Sequence, residues 1–289
     1  MSNQSTKSES SIFQKSMDKA FRGGISGSIA MAINICTLMP LRTAVNYQYR
    51  YGINTTGAIR YLYNDGGLLR FYRGFGFAMV QGPWSRFGDT FANNGTLALL
   101  NNVESTRDLH VGSKTLVASL AASSFRIIST PIDTCKTILQ VEGKQGLSTL
   151  RQKYLRGGGF PRGVPVFWYG AIGSASATFV GHYPWFFTYN YLQANLPTRD
   201  TTLGQISRNA LIGFSASAVS DTVSNSIRVL KTYRQTHTSK ITYSKAAREI
   251  INTDGMLSLF GRGLKTKIVA NGLQGALFSV LWKWIEKKL

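Results

Sequence analysis

Residues 131–140 read PIDTCKTILQ, and this stretch contains the features that decide the fold. Asp133 and Lys136 are three residues apart, so both side chains lie on one face of a helix. Pro131 removes a backbone donor and crowds the preceding turn, which bends a helix where it occurs. The stretch therefore predicts a bent helix that carries an acid–base pair on one face, with Gln140 one turn further along.

The same stretch recurs on either side. Residues 40–48 read PLRTAVNYQ and residues 225–235 read NSIRVLKTYRQ, with Pro40 and Ser226 at the place of Pro131. These three positions are 91 and 95 residues apart. A regular spacing of this kind is typical of tandem repeats.

An aromatic–glycine turn follows each copy at nearly the same period. The turns end at Gly74, Gly170 and Gly263, which are 96 and 93 residues apart. Because two independent marks share one period, the sequence predicts three repeats. We place a polar extension at 1–18 and the repeats at 19–105, 106–202 and 203–289.

Charge is distributed unevenly along the chain. The sequence has 33 Lys+Arg against 13 Asp+Glu, a formal net charge of +20. Residues 23–41, 163–181 and 268–282 nevertheless contain no charged residue, and a membrane helix needs about 20 mostly apolar residues. Cations that flank apolar spans indicate membrane phosphates, whereas a nucleic-acid-binding protein clusters them with aromatics in soluble modules. We therefore exclude nucleic acid as a partner.

Residue usage argues against several kinds of chemical site. The 2 cysteines and 3 histidines do not form a cluster with the spacing of metal ligands. The sequence also lacks a Ser/His/acid, Cys/His or phosphate-loop arrangement. We therefore predict no metal site, no cofactor and no enzymatic activity.

The repeats resemble those of the mitochondrial carrier family, the solute carriers of the inner membrane, over about residues 19–288. The family signature is Pro-x-acid-x-x-base, followed by acid-Gly and an aromatic-base-Gly turn. Residues 131–136 meet its first part, and residues 65–74 and 254–263 each contain the second. The resemblance implies an all-α membrane protein with six transmembrane helices in three tandem repeats, pseudo-threefold symmetry and three short matrix helices.

The resemblance also implies positions for these elements. We expect membrane helices near 19–47, 74–100, 112–141, 170–196, 206–236 and 265–288, and matrix helices near 55–64, 146–156 and 243–253. The implied location is the mitochondrial inner membrane, as a multi-pass protein with both termini in the intermembrane space.

A matrix gate, in which acid and base places of neighbouring repeats pair, is implied as well. The acid places read Arg42, Asp133 and Arg228, and the base places read Val45, Lys136 and Lys231. One carboxylate faces four cations, so three salt bridges cannot form. We expect Asp133 to pair with Lys231, and a glutamine to brace the pair. The gate set is Arg42, Asp133, Lys136, Gln140, Arg228, Lys231 and Gln235.

Substrate contacts in the family lie about two turns into each even-numbered helix. Counting seven or eight residues from the turn glycines, and adding nearby polar and ionisable groups, gives a candidate set. Its members are Gln81, Arg86, Asp89, Arg126, Thr178, His182, Asp221 and Asn271. Arg126 and Asp221 occupy equivalent places in repeats 2 and 3 and could form a buried pair. Such a pair either serves the substrate or only holds the helices in register.

Anionic lipid is the second expected ligand. A glycine that begins a helix exposes backbone N–H groups, which bind phosphate well, and the family uses such sites for cardiolipin. The candidates are Arg73, Gly74, Gly170, Arg262 and Gly263. The alternative for each glycine is close helix packing.

Two functions remain open at the level of the sequence. Full-length repeats and an arginine-containing cavity favour a carrier that moves an anionic small molecule by alternating access. The depleted gate favours a carrier fold that serves as a structural subunit of an inner-membrane respiratory complex.

Overall fold

The computed structural model describes residues 31–102, 104–107, 109, 111–198 and 201–286, and within them every regular element is a helix. The predicted all-α class is therefore confirmed. The helices are α1 (31–51), α2 (Thr55–Phe71), α3 (Phe75–Asn102), α4 (Glu104–Arg107), α5 (Val111–Glu142), α6 (Gly146–Arg156), α7 (Ala171–Asn195), α8 (Thr202–Thr236), α9 (Tyr243–Asp254), α10 (Met256–Gly261) and α11 (Leu264–Glu286).

The six long helices, α1, α3, α5, α7, α8 and α11, begin and end close to the positions predicted from the sequence. Residues 19–30 of the first predicted span lie outside the described residues. The short helices α6 and α9 also lie where they were expected, whereas α2 is longer and continues to Phe71. Its geometry breaks at Gly66 and Gly67, and Gly67 has φ 63°, a conformation that favours glycine.

In each predicted repeat, the first long helix (α1, α5 or α8) packs against the short helix that follows it. On α1, Ala44 and Tyr47 contact Ala58 and Leu62 of α2 within one apolar cluster. Ile138 and Leu150 join α5 to α6, and Val229 and Ile250 join α8 to α9. The same pairing thus occurs three times, as expected for tandem repeats that each bury one helical face.

The outer faces of the long helices carry large apolar side chains. On α7, which has no Asp, Glu, Lys or Arg, the side chains of Ile172, Tyr183, Phe187 and Tyr191 are all exposed. Among the described residues, one run, Gly112–Arg156, is long and apolar enough to cross a membrane by length and composition. The polar face of the assembly is therefore turned inward, toward the cavity described next.

Candidate functional site

A cavity of about 530 Å³ lies between the long helices. Its lining includes six cationic side chains, from Arg42, Arg126, Lys136, Arg228, Lys231 and Lys267. Among the side chains that the structure describes, Asp133 is the one carboxylate in that lining. An excess of positive charge in a cleft within the low-dielectric protein concentrates negatively charged solutes, so the cavity is suited to an anion.

The Asp133 carboxylate is the centre of a hydrogen-bonded network at one end of the cavity. Its Oδ1 accepts from Lys136 Nζ at 3.0 Å and from Gln81 Nε2 at 3.1 Å. Its Oδ2 contacts Lys231 Nζ and accepts from Gln235 Nε2 at 3.5 Å. The network joins α3, α5 and α8, so one buried carboxylate connects one long helix from each of the three predicted repeats.

Both gate glutamines form polar contacts between helices. Gln235 Nε2 donates to Thr134 Oγ1 at 3.0 Å, in addition to its contact with Asp133, so it braces the Asp133–Lys231 pair. Gln140 Oε1 accepts from Asn46 Nδ2 at 2.5 Å and joins α5 to α1. The two equivalent glutamines therefore occupy equivalent interfaces with different partners.

Five of the candidate substrate residues line the cavity: Gln81, Arg126, Thr178, His182 and Asn271. The side chains of Arg86 and Asp89 lie outside the described residues. Asp221 is buried behind the lining, where Asn271 Nδ2 contacts its carboxylate.

The structure pairs Asp221 with Arg228 and not with Arg126, the partner that equivalence between repeats had made possible. Asp221 lies 4.0 Å from the guanidinium of Arg228, its nearest cation, and contacts Asn271 on α11. Arg228 follows Asp221 by seven residues, two turns of α8, so the two side chains share a helix face. This helix-internal pairing explains why equivalence between repeats did not identify the partner.

His182 forms contacts typical of a structural histidine. Its Nδ1 is hydrogen-bonded to Ser119 Oγ at 2.8 Å, and its ring meets Phe186 edge-on at 5.5 Å. The imidazole thus joins α7 to α5 at the wall of the cavity.

Lys267 is a cavity residue that the sequence analysis missed. It lies four residues after Gly263, and the residues four after the other two turn glycines, Ala78 and Ser174, also line the cavity. A count of four residues from each turn glycine, in place of seven or eight, would have found Lys267 on α11. Lys267 lies within electrostatic range of Arg42, Lys136, Arg228 and Asp221.

Each turn glycine packs against the first long helix of the next predicted repeat, which is α5 for Gly74, α8 for Gly170 and α1 for Gly263. A Cβ at Gly74 would meet Lys136 O at 3.0 Å, and one at Gly170 would meet Gln235 Nε2 at 2.3 Å. A Cβ at Gly263 would meet the ring of Tyr49 at 2.9 Å. Close packing, which was the alternative to lipid binding, is therefore present at all three positions.

Gly263→Ala tests this packing. We expect the variant to lose about 1–3 kcal/mol of stability, because Gly263 has φ 65° and its Cβ position is occupied by Tyr49. Gly261→Ala is the matched control, since nothing lies within 4 Å of its Cβ position. Thermal unfolding in detergent measures both, and equal midpoints for the two variants would contradict close packing at Gly263.

Arg70 forms a contact between repeats that the sequence analysis also missed. Its guanidinium, 4% exposed, donates to Gln140 O at 2.9 Å and to Val141 O at 2.8 Å. Both carbonyls lie in the last turn of α5, where helix carbonyls lack intrahelical donors. Asp65 holds the guanidinium from the other side at 2.5 Å.

The other two repeats form corresponding contacts. Arg262 Nη1 donates to Tyr49 O at 3.4 Å and Arg50 O at 3.3 Å in the last turns of α1. Lys153 Nζ donates to Gln235 O at 3.4 Å in the last turn of α8. Burial lowers the pKa of the Lys153 ammonium, and the carboxylate of Glu142 partly offsets this effect. We call these three sets, centred on Arg70, Lys153 and Arg262, the carbonyl contacts.

Long helices with exposed apolar side chains around a cationic cavity are the arrangement expected of a helical membrane protein with an internal solute site. Residues 204–289 match the model of a family described as mitochondrial carrier protein. A segment of 133 residues, 44% of this chain, is 27% identical to mitochondrial RNA-splicing protein MRS3 of Saccharomyces cerevisiae. That match spans 40% of the yeast protein's length.

The chain is thus similar to mitochondrial carrier proteins over residues 204–289, and to part of one yeast mitochondrial protein over 133 residues. The matched segment at 204–289 coincides with the third repeat that the sequence predicts at 203–289.

Proposed function

We propose that this protein is a carrier of the mitochondrial inner membrane that moves an anionic small molecule by alternating access. The observation that carries the proposal is the cavity of about 530 Å³, with six cations and one carboxylate in its described lining. An ionisable group inside a membrane protein is expensive and is retained where it serves a solute or an ion. Six of them around one polar cavity favour a solute of negative charge.

The proposed binding residues are those that face this cavity from different helices. Gln81 extends from α3, Arg126 from α5, Thr178 from α7 and Asn271 from α11. Arg126 supplies the charge, and the amides and hydroxyl supply hydrogen bonds that orient the solute. The side chains of His182 and Asp221 support this set through their contacts with Ser119 and Asn271.

Exchange in liposomes tests the proposal. The purified chain is reconstituted with internal and external panels of nucleotides, carboxylates and amino acids, and counter-exchange is followed. We expect exchange of at least one anionic class, and a loss of about tenfold or more in Arg126→Ala, because one lost charged contact costs about 1.5–3 kcal/mol.

The matched control is Arg248→Ala, which removes an exposed cation of α9 away from the cavity. Exchange at the rate of protein-free liposomes for every anion would contradict the carrier function. Equal loss in Arg126→Ala and Arg248→Ala would show that the cavity does not carry the solute.

A structural subunit of an inner-membrane respiratory complex is the second candidate function. The observation that favours it is the single carboxylate among the gate positions, because transport needs two gates that alternate. In this case the chain should copurify in fixed stoichiometry with a respiratory complex, and Gln81→Ala and Arg126→Ala should change no flux. An exchange activity that disappears in those two variants would exclude this candidate.

We also propose that anionic lipid, with cardiolipin foremost, binds at the turns before α3, α7 and α11. A second cavity, of about 300 Å³, is lined by Gly263 and Lys265 at the start of α11 and supports the proposal. The buried Nε of Arg73 has no acceptor among the described residues, which is consistent with a phosphate ligand there. Arg262, by contrast, is engaged by internal partners. Native mass spectrometry without any preference for cardiolipin over neutral lipid would contradict this proposal.

The proposed architecture has six spans in three repeats, bounded at 19–105, 106–202 and 203–289. The carbonyl contacts support these bounds. Their accepting carbonyls belong to Tyr49, Gln140 and Gln235, each nine residues after the position of the repeated proline. Repeat 1 thus contacts repeat 2, repeat 2 contacts repeat 3, and repeat 3 contacts repeat 1, as a pseudo-threefold ring requires.

A further inference from the structure

We propose that the gate of this protein is itself a binding site for a multivalent oxyanion, which supplies negative charge that the gate lacks. The inference rests on the proposed function, since it names the chemistry of the solute and makes that solute part of the closed gate. We use the name gate ring for the six positions occupied by Arg42, Val45, Asp133, Lys136, Arg228 and Lys231.

The gate ring has a large excess of positive charge. Four cations and one carboxylate leave a formal net charge of +3. All six side chains line the same cavity, and Lys267 adds a further cation beside them. Crowded cations in a partly desolvated site repel one another, so a bound anion stabilises the arrangement.

Asp133 already has partners for both of its oxygens. Lys136 and Gln81 donate to Oδ1, and Lys231 and Gln235 contact Oδ2. Each oxygen therefore has two donors, which fills the acceptor capacity of a carboxylate. Asp133 consequently neutralises the lysines of the ring, and its charge is not directed to the arginines.

The two arginines of the ring are placed to bind an oxyanion. Arg42 Nη2 donates to the neutral Gln274 Oε1 at 2.7 Å. Arg228 Nε donates to Ser224 Oγ at 3.2 Å, and its Nη2 lies 4.0 Å from the Asp221 carboxylate. The Arg228 side chain remains 31% exposed and lines the cavity, so it can meet an anion there as well. A guanidinium has five donors in a planar fork, so it binds a phosphate or carboxylate group while keeping a neutral partner.

The position of the missing charge follows from the one pair that is present. Asp133 of repeat 2 meets Lys231 of repeat 3. In the same way, the acid place of repeat 1, residue 42, lies opposite the base place of repeat 2, Lys136. Arg42 and Lys136 are within electrostatic range of each other, so two like charges stand where an acid–base pair would close the interface. An oxyanion between them takes the place of the missing carboxylate.

This arrangement gives the solute a role in closure. Without it, the ring is held by one buried carboxylate, and its two positions between repeats 1 and 2, Arg42 and Lys136, carry like charges. With it, the solute links Arg42 and Lys136 while the Asp133–Lys231 pair is kept. The gate therefore closes around the solute, and the cavity of about 530 Å³ has room for a metabolite that carries two or three negative charges.

Thermal unfolding of the full chain in detergent, at fixed cardiolipin content and constant ionic strength, tests the inference. The probes are inorganic phosphate, pyrophosphate and citrate, with chloride as the monovalent reference. We expect a saturable rise of the midpoint for at least one multivalent anion, by about 3–6 °C at ten times its Kd. Comparison of phosphate with citrate shows whether the site prefers phosphate groups or carboxylates.

Three variants localise the effect. Arg42→Gln and Arg228→Gln should each lower the affinity for the probe by about tenfold or more, whereas Arg248→Gln, on the exposed face of α9, should leave it unchanged. Arg42→Asp places a carboxylate opposite Lys136, so it should raise the midpoint without anion and abolish the response. If Arg42→Gln does not fold, Arg228→Gln and Arg42→Asp still decide the question.

A rise that is linear in anion concentration and equal in all variants would be salt exclusion and would overturn the inference. A saturable rise that survives both glutamine variants would also overturn it, because the anion would then bind elsewhere. The proposed function is tested separately by exchange in liposomes. Exchange without a saturable rise of the midpoint would support the carrier function and overturn anion binding at the gate. A saturable rise without exchange would support anion binding at the gate and contradict the carrier function.

Discussion

Asp133→Asn is expected to lower the free energy of unfolding by about 3–5 kcal/mol, the usual cost of removing one partner from a buried ion pair. The Asp133 side chain is 9% exposed and contacts Lys136 and Lys231, which are themselves 17% and 15% exposed. Asparagine keeps the shape and one acceptor, but it leaves two ammonium groups side by side without a compensating charge. The midpoint of thermal unfolding should fall by on the order of 10 °C.

Two comparisons make this prediction specific. Asp65→Asn is the same chemical change at a carboxylate that is 46% exposed, and it should cost about 0–1 kcal/mol. Adding Lys231→Gln to Asp133→Asn removes one of the two ammonium groups that would otherwise repel each other. The double variant should therefore recover part of the stability that Asp133→Asn loses. If Asp133→Asn and Asp65→Asn unfold at the same temperature, the network around Asp133 does not hold the helices together.

The sequence predicted the helices well because two kinds of information coincide there. The repeat period sets where each element recurs, and the turn glycines set where the second long helix of each repeat (α3, α7 or α11) begins. Gly74 and Gly263 have φ of 82° and 65°, so the chain turns there for steric reasons that the residue type itself encodes. The pairing of Asp133 with Lys231 could be predicted for a similar reason, since the ring contains one acid.

The side-chain partners within the cavity were harder to predict. Equivalence between repeats suggested Arg126 for Asp221, yet Asp221 meets Arg228 and Asn271. Repeat positions fix the height of a residue along the bundle but not the rotation of its helix, and that rotation selects the neighbour. Lys267 was missed because repeats 1 and 2 have Ala78 and Ser174 at its place, which carry no charge to mark it.

Arg70 shows a different limit of the repeat pattern. It lies four residues before Gly74, whereas Arg262 lies directly before Gly263. Both guanidiniums nevertheless reach the last carbonyls of the next repeat's helix. A long side chain can therefore fill one structural position from two places in the sequence, and the family motif indicates Arg73 instead.

Arg70→Ala is expected to destabilise the protein by about 3–5 kcal/mol, because hydrogen bonds to a charged group contribute about 1.5–3 kcal/mol each and buried acceptors left without donors add to the loss. The guanidinium is 4% exposed and is the donor for two carbonyls at the end of α5. Since α5 also carries Asp133, loosening its last turn should weaken the gate network as well. Thermal unfolding in detergent measures the first effect, and the anion affinity of the gate measures the second.

Two variants separate the role of Arg70 from that of positive charge alone. Arg60→Ala removes a cation from an exposed position of the same helix, and its effect should stay within about 0.5 kcal/mol. Arg70→Lys keeps the charge but loses the planar fork, so it should recover only part of the stability that alanine loses. Lys153, which contacts the carbonyl of Gln235 at 3.4 Å in repeat 2, shows that a lysine reaches one carbonyl where arginine reaches two. If Arg70→Lys matched the wild-type protein in stability, charge rather than bidentate contact would join repeat 1 to repeat 2.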